Sequence, residues 1–389
     1  MEPWLKYAFG AQAGLLIGMG LGRFSYTPMV PVLIELNILT EPEAGYIGAL
    51  NLGGYVIGAI VTPRLSRRFH EAWLLRASLL TSLVCLIASV FPFGFLWLGF
   101  WRLTIGIIVS VIMILSIAYV TKFAPKNRVA LATSIGTMGV GIGIFFSSVI
   151  LPTLLAHGVF WGWVGSAIIG AIATSIGFWA WYNAPALEVK TIQNIKKNIN
   201  LSTDGKKLIA VQALFSIGLI PHSIYWVDYI VRSQGFSIEQ GAFQWMLVGV
   251  GGILGTIMWG RLADKIGLNI SLIIVFAALA SSAILPVSAP SWGMVVFSSF
   301  IFGSQPGSAA IVAARAQQTM GGTSMVSLWR YMVISVGIAQ IFGGAFLVEL
   351  FNRTNSYFIV FFIGGMSMAL ASLICATLTR PSISAQNRC

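Results

Sequence analysis

Two arginines lie inside long apolar stretches of the sequence. Arg23 follows the run AGLLIGMGLG, and Arg102 follows FGFLWLGFW. In hydrocarbon a charged side chain is costly unless it faces protein or water, so such residues are functional candidates by default. A guanidinium presents a planar fork of N–H groups that matches a carboxylate or a phosphonate. Because no carboxylate lies deep in the same half of the chain, the two arginines predict a cavity that binds an anion.

Each arginine also has a purely structural interpretation. Arg23 could bond backbone carbonyls that are freed where Pro28 and Pro31 interrupt the helix. Arg102 could lock the helices of its own bundle together. For Arg23 the functional interpretation is favoured, because arginine is an expensive way to satisfy a carbonyl. For Arg102 both interpretations stay open.

A second polar group lies in the segment IPHSIYWVDYIVR. His222 follows a helix-breaking proline, and Asp228 lies about 9 Å further along the helix. Asp228 is the one acid within an apolar run, so it is a candidate partner for an arginine or a candidate proton carrier. His222 is the rival proton carrier, because a histidine titrates near neutrality. Tyr225 and Trp226 share a helical face with His222 and would shape a pocket. The alternatives are a neutral core histidine and an aromatic belt at the membrane interface.

Uncharged polar side chains are the remaining candidates for contact with a substrate. They are Tyr26, Asn51, Gln305 and Gln340. Polar contacts between helices would explain the amides equally well. The sequence has no phosphate-binding glycine loop, metal cluster or nucleophile elbow, so no cofactor, no metal and no enzymatic activity is predicted. His222 with Asp228 is the one pair an enzyme could use, and its six-residue spacing does not suit a shared helical face.

The composition indicates where these residues must be held. Of the 389 residues, 57% are hydrophobic and 9% are charged, against about 25% charged in a soluble domain. A water-soluble fold is therefore excluded. The net charge of +12 falls overwhelmingly on one side of the predicted membrane, so it indicates topology and no nucleic-acid partner.

Apolar runs predict twelve membrane-spanning helices in an all-α protein. The runs are about 7–34, 43–63, 73–93, 95–120, 129–152, 160–182, 208–231, 239–259, 270–289, 291–314, 325–350 and 356–378. The one long polar segment divides the chain into a six-helix bundle over 1–182, a linker over 183–207 and a second six-helix bundle over 208–389.

Basic residues fix the predicted orientation. The linker, the loops 64–72, 121–128 and 260–269, and the C-terminal tail carry most of the lysines and arginines. By the positive-inside rule these segments and both termini are cytoplasmic. The expected location is the inner membrane, with the lipid bilayer as surroundings. At about 1.5 Å per residue, Arg23 and Arg102 then both reach the outer half of the first bundle.

The two halves align with each other at a constant offset. GAIVTPRL at 58–65 lies 197 positions before GTIMWGRL at 255–262, and Phe100 and Gly106 lie the same distance before Phe297 and Gly303. Duplicated six-span halves in parallel arrangement are a transporter architecture, with the site at the interface between the halves.

Three motifs carry a resemblance to a known family. GRLADKIG, with Gly260, Asp264, Lys265 and Gly267, resembles the loop between the second and third spans of each half in the major facilitator superfamily. Arg102 in WRLTIG resembles the superfamily's Arg-x-x-x-Gly element. GRFSYTPMVP, at 22–31, resembles the first-span signature of the YbfB/YjiJ-like branch.

The resemblance implies alternating access, in which two bundles rock about a central cavity. Asp264 and its neighbours would hold the cytoplasmic ends together while the outside is open. We therefore predict a monomeric secondary transporter that moves a small organic anion, in the first place a carboxylate, together with protons. The alternative is proton-driven efflux of drugs or chelating metabolites. A cationic drug would need a membrane carboxylate, for which Asp228 alone is available.

Overall fold

The computed structural model describes residues 2–187, 201–320 and 322–379, which are nearly all helical. Backbone groups in hydrocarbon must bond within their own segment, so the apolar runs form helices. The helices of the first half are α1 Pro3–Leu15, α2 Tyr26–Glu35, α3 Glu41–Arg68, α4 Glu71–Ser89, α5 Phe95–Phe123, α6 Val129–Leu155 and α7 Val159–Trp181. Those of the second half are α8 Thr203–Asp228, α9 Ile238–Val250, α10 Thr256–Ile266, α11 Leu268–Ser288, α12 Trp292–Gly303, α13 Pro306–Met320, α14 Gly322–Thr354 and α15 Tyr357–Ala376.

Eleven helical segments of the described residues are long and apolar enough to cross a membrane. The predicted first span is the additional candidate, and it is not one regular helix. A π-helix over Leu16–Phe24 joins α1 to a turn at Ser25, after which α2 begins. Two further π-helices, Tyr229–Ser233 and Gly251–Gly255, follow α8 and α9. The total of twelve spans and the cytoplasmic position of the termini stay predictions.

The predicted tenth span corresponds to the candidate membrane span Trp292–Met320, and its helix is interrupted once. The chain turns at Ser304 and Gln305 between α12 and α13. Pro306 is the first residue of α13, where its missing N–H removes no helical hydrogen bond. Ser304 is held in the turn by Trp259, whose indole Nε1–H donates to the Ser304 hydroxyl over 2.7 Å.

The linker ends earlier than the apolar pattern predicts. Residues 188–200 lie outside the part of the chain that the structure describes. Helix α8 begins at Thr203 because the Ser202 hydroxyl caps it, accepting from the Gly205 N–H at 3.1 Å. The apolar run thus marks the hydrocarbon-facing part of this helix, and the polar first turn extends beyond it. We call the face at which α7 ends and α8 begins the linker side, and the opposite face the outer side.

The helices form two bundles. Helices α1–α7 pack mainly on one another, and so do α8–α15. The bundles meet where α6 packs on α9, α10 and α13, and where α14 packs on α3 and α5. On the linker side the Trp329 indole N–H donates to the Met113 carbonyl across this interface, at 3.4 Å. The interface is therefore closed on the linker side.

The sequence repeat has a direct structural counterpart. A Cβ atom on Gly54 would lie 2.3 Å from the Leu103 carbonyl oxygen, and one on Gly251 would lie 2.2 Å from that of Phe300. Both members of the second pair lie 197 positions after those of the first. In the same way, a Cβ atom on Gly106 would lie 2.2 Å from the Asn51 carbonyl oxygen, and one on Gly303 would lie 2.1 Å from that of Val248. Glycine is present at the equivalent positions of both halves because two helices cross at these points with their backbones in contact.

A buried ion pair organises the linker side of the second bundle. Arg315 on α13 is 3% exposed, and its Nη2 lies 2.9 Å from Oδ2 of Asp204 in the first turn of α8. The same guanidinium donates to Asn269 on α11 and to the Thr379 carbonyl after α15. Arg315 therefore links α13 to α8, to α11 and to the residues after α15.

We expect Arg315→Ala to lower the thermal unfolding midpoint of the detergent-solubilised protein markedly. Removing one partner leaves a buried charge uncompensated, at a cost of about 3–5 kcal/mol. The matched control is Arg353→Ala. Its ion pair with Glu349 has side chains 76% and 57% exposed, so its removal should cost about 0–1 kcal/mol. If Arg315→Ala and Arg353→Ala have equal thermal unfolding midpoints, the ion pair between Arg315 and Asp204 does not stabilise the bundle.

Candidate functional site

A cavity of about 820 Å³, its open mouth included, lies between the two bundles. Its lining residues come from both halves of the chain. They are Met19, Arg23, Phe24, Tyr55, Met113, Thr137, Val140, Gln212, Phe215, Leu219, Ser223, Gln305, Pro306, Ala309, Trp329, Met332, Val333, Val336 and Gln340.

Arg23 supplies the charge of this cavity. It lies at the outer end of the π-helix Leu16–Phe24, and its Nη2 donates to the Gln340 amide oxygen of α14 at 3.1 Å. No aspartate or glutamate is among the described residues that line the cavity. The cavity therefore carries an uncompensated positive charge, as the sequence leads us to expect for this arginine.

The π-helix determines where Arg23 points. Wider turns shift the register of every following side chain relative to an α-helix. Glycine makes this segment possible: a Cβ atom on Gly20 would lie 2.8 Å from the Cα of Gly143 on α6. The close approach of these two helices seats the π-helix at the interface between the bundles.

Three further polar side chains line the cavity without a hydrogen bond to another described residue. Tyr55, Gln212 and Gln305 are 5%, 3% and 9% exposed. Gln340 and Gln305, two of the predicted site residues, line the cavity. Gln305 does so because the chain turns there between α12 and α13. Buried polar groups in proteins are normally satisfied, so these three are available to a ligand or to water.

Arg102 does not line the cavity. It is 3% exposed inside the first bundle, where its guanidinium carbon lies 4.6 Å from the Tyr26 ring centroid and 4.7 Å from that of Trp163. Its Nη1 donates to the Gly22 carbonyl at 2.5 Å. These contacts hold the π-helix against the rest of the first bundle. They fit the structural interpretation of Arg102 that the sequence left open.

Asn51 and Tyr26 also lie outside the lining. The Asn51 amide donates to the backbone carbonyl of Arg102 at 3.1 Å, and the Tyr26 hydroxyl donates to that of Ala44 at 3.2 Å. Both side chains join helices of the first bundle to each other. The interpretation as polar contacts between helices fits them better than contact with a substrate.

His222 and Trp226 are buried behind the cavity. The His222 ring stacks on Phe302 at 4.3 Å, and its Nε2 lies 2.9 Å from the Ser298 hydroxyl. That hydroxyl itself donates to the Ser282 carbonyl, so it accepts from an Nε2–H of His222. The Trp226 indole N–H donates to the Ser299 hydroxyl at 2.9 Å. Neither residue touches the cavity.

Asp228 and Tyr225 belong to a cluster on the outer side. Asp228 forms an ion pair with Arg232 at 2.9 Å and accepts a hydrogen bond from the Tyr357 hydroxyl of α15. Tyr225 packs against Phe351 with ring centroids 4.5 Å apart. The structure therefore does not bring Asp228 together with either buried arginine of the first bundle.

The four predicted gating residues lie at the end of α10 on the linker side. A Cβ atom on Gly260 would clash with α6, and Gly267 ends α10 with a φ of +89°. Asp264 accepts from the Leu131 N–H in the first turn of α6, at 3.2 Å, where the positive end of that helix favours a carboxylate. Lys265 is exposed in the last turn of α10. Asp264 thus bridges the two bundles.

Some lining residues were not predicted from the sequence. Gln212 is a lone amide in the run LIAVQALFSIGL, so the reasoning that selects Gln340 would also select it. Tyr55 and Trp329 carry no such signal, because aromatic residues are common throughout this chain. Only the rotation of α3 and α14 directs these two side chains to the interface.

Comparison with known proteins identifies the family. Residues 15–376 match the family described as "Uncharacterised MFS-type transporter YbfB". The chain belongs to this family of MFS transporters. The resemblance seen in the sequence is confirmed, and an MFS transporter is not an enzyme.

Individual relatives are distant. A candidate metabolite transport protein of Haemophilus influenzae is 25% identical over 294 residues, which cover 67% of this MFS transporter and 69% of that protein. The proton:xylose symporter XylE has 16% identity and a TM-score of 0.72, with 96% of this chain and 94% of that one covered. A bacterial homologue of the iron transporter ferroportin, in an outward-facing state, has 13% identity and a TM-score of 0.71, with both chains fully covered. At such identities the two structures show a shared MFS fold and no shared substrate.

We expect Gly141→Ala to shift this MFS transporter away from the arrangement of its two bundles that the structure shows. A Cβ atom there would lie 2.3 Å from the backbone carbon of Gly252 in the opposite bundle. Such overpacking costs about 1–3 kcal/mol, which changes a conformational equilibrium by roughly fivefold to 150-fold. The control is Gly53→Ala, because the corresponding space at Gly53 is empty to 4 Å.

The measurement is the labelling rate of a cysteine placed in the cavity, Ser223→Cys, by a membrane-impermeant maleimide. Cys389 is replaced by serine in every variant, and the native Cys85 and Cys375 are buried and should react slowly. Gly141→Ala should change the rate several-fold while Gly53→Ala leaves it unchanged. An unchanged rate in both variants would contradict a role for this contact in closure.

Proposed function

We propose that this MFS transporter carries a small organic anion, in the first place a carboxylate, by alternating access. The observation that carries the proposal is Arg23, a guanidinium in the cavity between the bundles with no acidic residue among the described lining. A charge held away from water costs free energy unless an opposite charge joins it. A bound anion supplies that opposite charge.

The geometry around Arg23 leaves room for such a ligand. A guanidinium has five N–H donors, and the one described acceptor is the Gln340 amide. The remaining donors can form the paired hydrogen bonds that a carboxylate accepts. The Tyr55 hydroxyl lies within electrostatic range of Arg23 and is free to donate a further bond.

Binding at Arg23 would be linked to the movement of the bundles. The hydrogen bond from Arg23 to Gln340 joins α14 of the second bundle to the first. An anion that takes over the donors of Arg23 changes the interaction between the two bundles. A ligand shifts a conformational equilibrium only through such a difference in its interactions with the two states.

For proton coupling we propose Asp228 as the carrier. It lies where α8 passes into a π-helix, in contact with α15 through Tyr357 and 32% exposed, so a proton can reach it from the outer side. His222, the other predicted carrier, is less suited because its neutral form is already satisfied at Nε2 by Ser298. Protonation of Asp228 would weaken its ion pair with Arg232.

Efflux of drugs or chelating metabolites is the alternative, and the site supports it less. A cationic drug would need a carboxylate in the cavity, and the described lining residues include none. The inner membrane as location and the monomeric state stay predictions.

We expect Arg23→Ala to abolish uptake of organic anions into proteoliposomes, because the charge that binds them is gone. Arg23→Lys should retain part of the uptake, since it keeps the charge and loses the planar fork. The control is Arg353→Ala, which removes an exposed arginine far from the cavity. The assay is a panel of radiolabelled anions and cations. Movement of cations, with Arg23→Ala as active as the native protein, would refute the anion proposal.

We expect Asp228→Asn to separate proton coupling from substrate movement. The variant keeps the shape of the side chain and cannot release a proton. Uptake driven by an imposed pH gradient should be lost, while exchange of labelled for unlabelled substrate across the membrane continues. His222→Gln serves as the comparison and should retain gradient-driven uptake. If Asp228→Asn responds to the gradient as the native protein does, Asp228 is not the carrier.

A further inference from the structure

The cavity combines one charged region with a largely apolar remainder. Arg23 on the π-helix, Tyr55 on α3 and Gln340 on α14 all line it. Arg23 donates to the Gln340 amide at 3.1 Å, and Tyr55 lies within electrostatic range of Arg23. These three residues form what we call the charged pole.

The part of the cavity toward the linker side is largely apolar, with Thr137 and Gln212 as its polar side chains. Its floor is formed by Met113 on α5 and by Trp329, Met332 and Val333 on α14. The last three are buried, with 1–3% of their surface exposed. Phe215 on α8 continues this surface on the wall of the second bundle. We call these residues the apolar floor.

The apolar floor suits a ring or a branched chain. Methionine side chains adapt to irregular shapes, and their sulfur atoms make favourable contacts with aromatic rings. Trp329 presents an indole face while its N–H is engaged by the Met113 carbonyl. With that donor used, the floor offers apolar contact and little hydrogen bonding.

The charge balance limits the ligand to one negative charge. Arg23 is the one lysine or arginine among the described lining residues. A second carboxylate on the ligand would have to lie against the apolar floor or beside Gln212 and Gln305. An amide can donate a hydrogen bond and cannot neutralise a buried charge.

We propose that the cavity selects a monocarboxylate with a single apolar body about the size of an aromatic ring, the carboxylate on the charged pole and the body on the apolar floor. The proposal rests on the function proposed above and narrows it to a substrate class. An anion the size of acetate would make no contact with the apolar floor. A dianion would leave one of its own charges without a partner, and a neutral analogue would leave the charge of Arg23 without one.

The test uses four matched ligands and the full-length protein in lipid nanodiscs. Phenylacetate is the expected class, phenylacetamide removes its charge, acetate removes its ring and phenylmalonate adds a second carboxylate. Affinity is measured by titration calorimetry. We expect phenylacetate to bind at least about tenfold more tightly than each of the others, because even one methylene in an apolar pocket is worth roughly tenfold or more.

A variant of the floor tests the second half of the proposal. Met332→Gln keeps the side-chain length and makes the floor polar, so it should weaken phenylacetate binding several-fold and leave acetate binding unchanged. Met366→Gln is the control, because Met366 lies on α15 outside the lining and is 48% exposed. Should Met332→Gln fail to fold in size-exclusion chromatography, Met113→Gln makes the equivalent change.

The outcomes separate this inference from the function on which it rests. If acetate or phenylmalonate binds as tightly as phenylacetate, the selectivity proposal is refuted and anion binding stands. If phenylacetamide binds as tightly as phenylacetate, or if no carboxylate binds, both proposals are refuted. Equal phenylacetate affinity in native protein and in the folded floor variant also refutes the assignment of the ring to the apolar floor.

Discussion

The site depends on one partly buried guanidinium, that of Arg23, between the two helical bundles. Arg23 has no carboxylate among the described residues around the cavity, and its described hydrogen-bond partner is the amide of Gln340 on the opposite bundle. An amide is a weak partner for a charge. Binding of an anion to Arg23 would therefore be favourable. It would take place at the interface where the two bundles must separate.

The position of Arg23 follows from an irregular helix and not from the apolar pattern. Counting residues along a regular helix gives its depth but not its direction, because a π-helix over Leu16–Phe24 changes the register. The glycines of this segment are visible in the sequence. Their consequence depends on the approach of α6, where Gly143 meets Gly20.

Much of the fold and part of the site could be predicted from the sequence. Apolar runs and the repeated glycines give the helices and the relation between the halves, because both reflect local and pairwise packing. The cost of a charge in hydrocarbon selects Arg23 and Arg102 alike, yet the two face different surroundings. Arg102 lies between Tyr26 and Trp163, and that partnership comes from helices far apart in the chain. Helix rotation is set by such tertiary packing, which one sequence does not reveal.

The contrast between interactions within and between the bundles explains how the closed interface can open. Within the second bundle, Arg315 and Asp204 form a buried ion pair. At the pseudo-equivalent place in the first bundle, 197 positions earlier, Tyr7 stands in place of Asp204 and stacks on Trp181 with ring planes 10° apart.

Between the bundles, the described polar contacts are single hydrogen bonds, such as those of Arg23 with Gln340 and of Asp264 with Leu131. The remaining contact there includes glycine backbones in close approach, as at Gly141 and Gly252. Each bundle is therefore held by interactions that are costly to break, whereas the interface is held by interactions that are individually weak. Rocking of two rigid bundles is the motion that this distribution of free energy permits. The anion that we propose to bind at Arg23 would act on one of the few described hydrogen bonds that the motion must break.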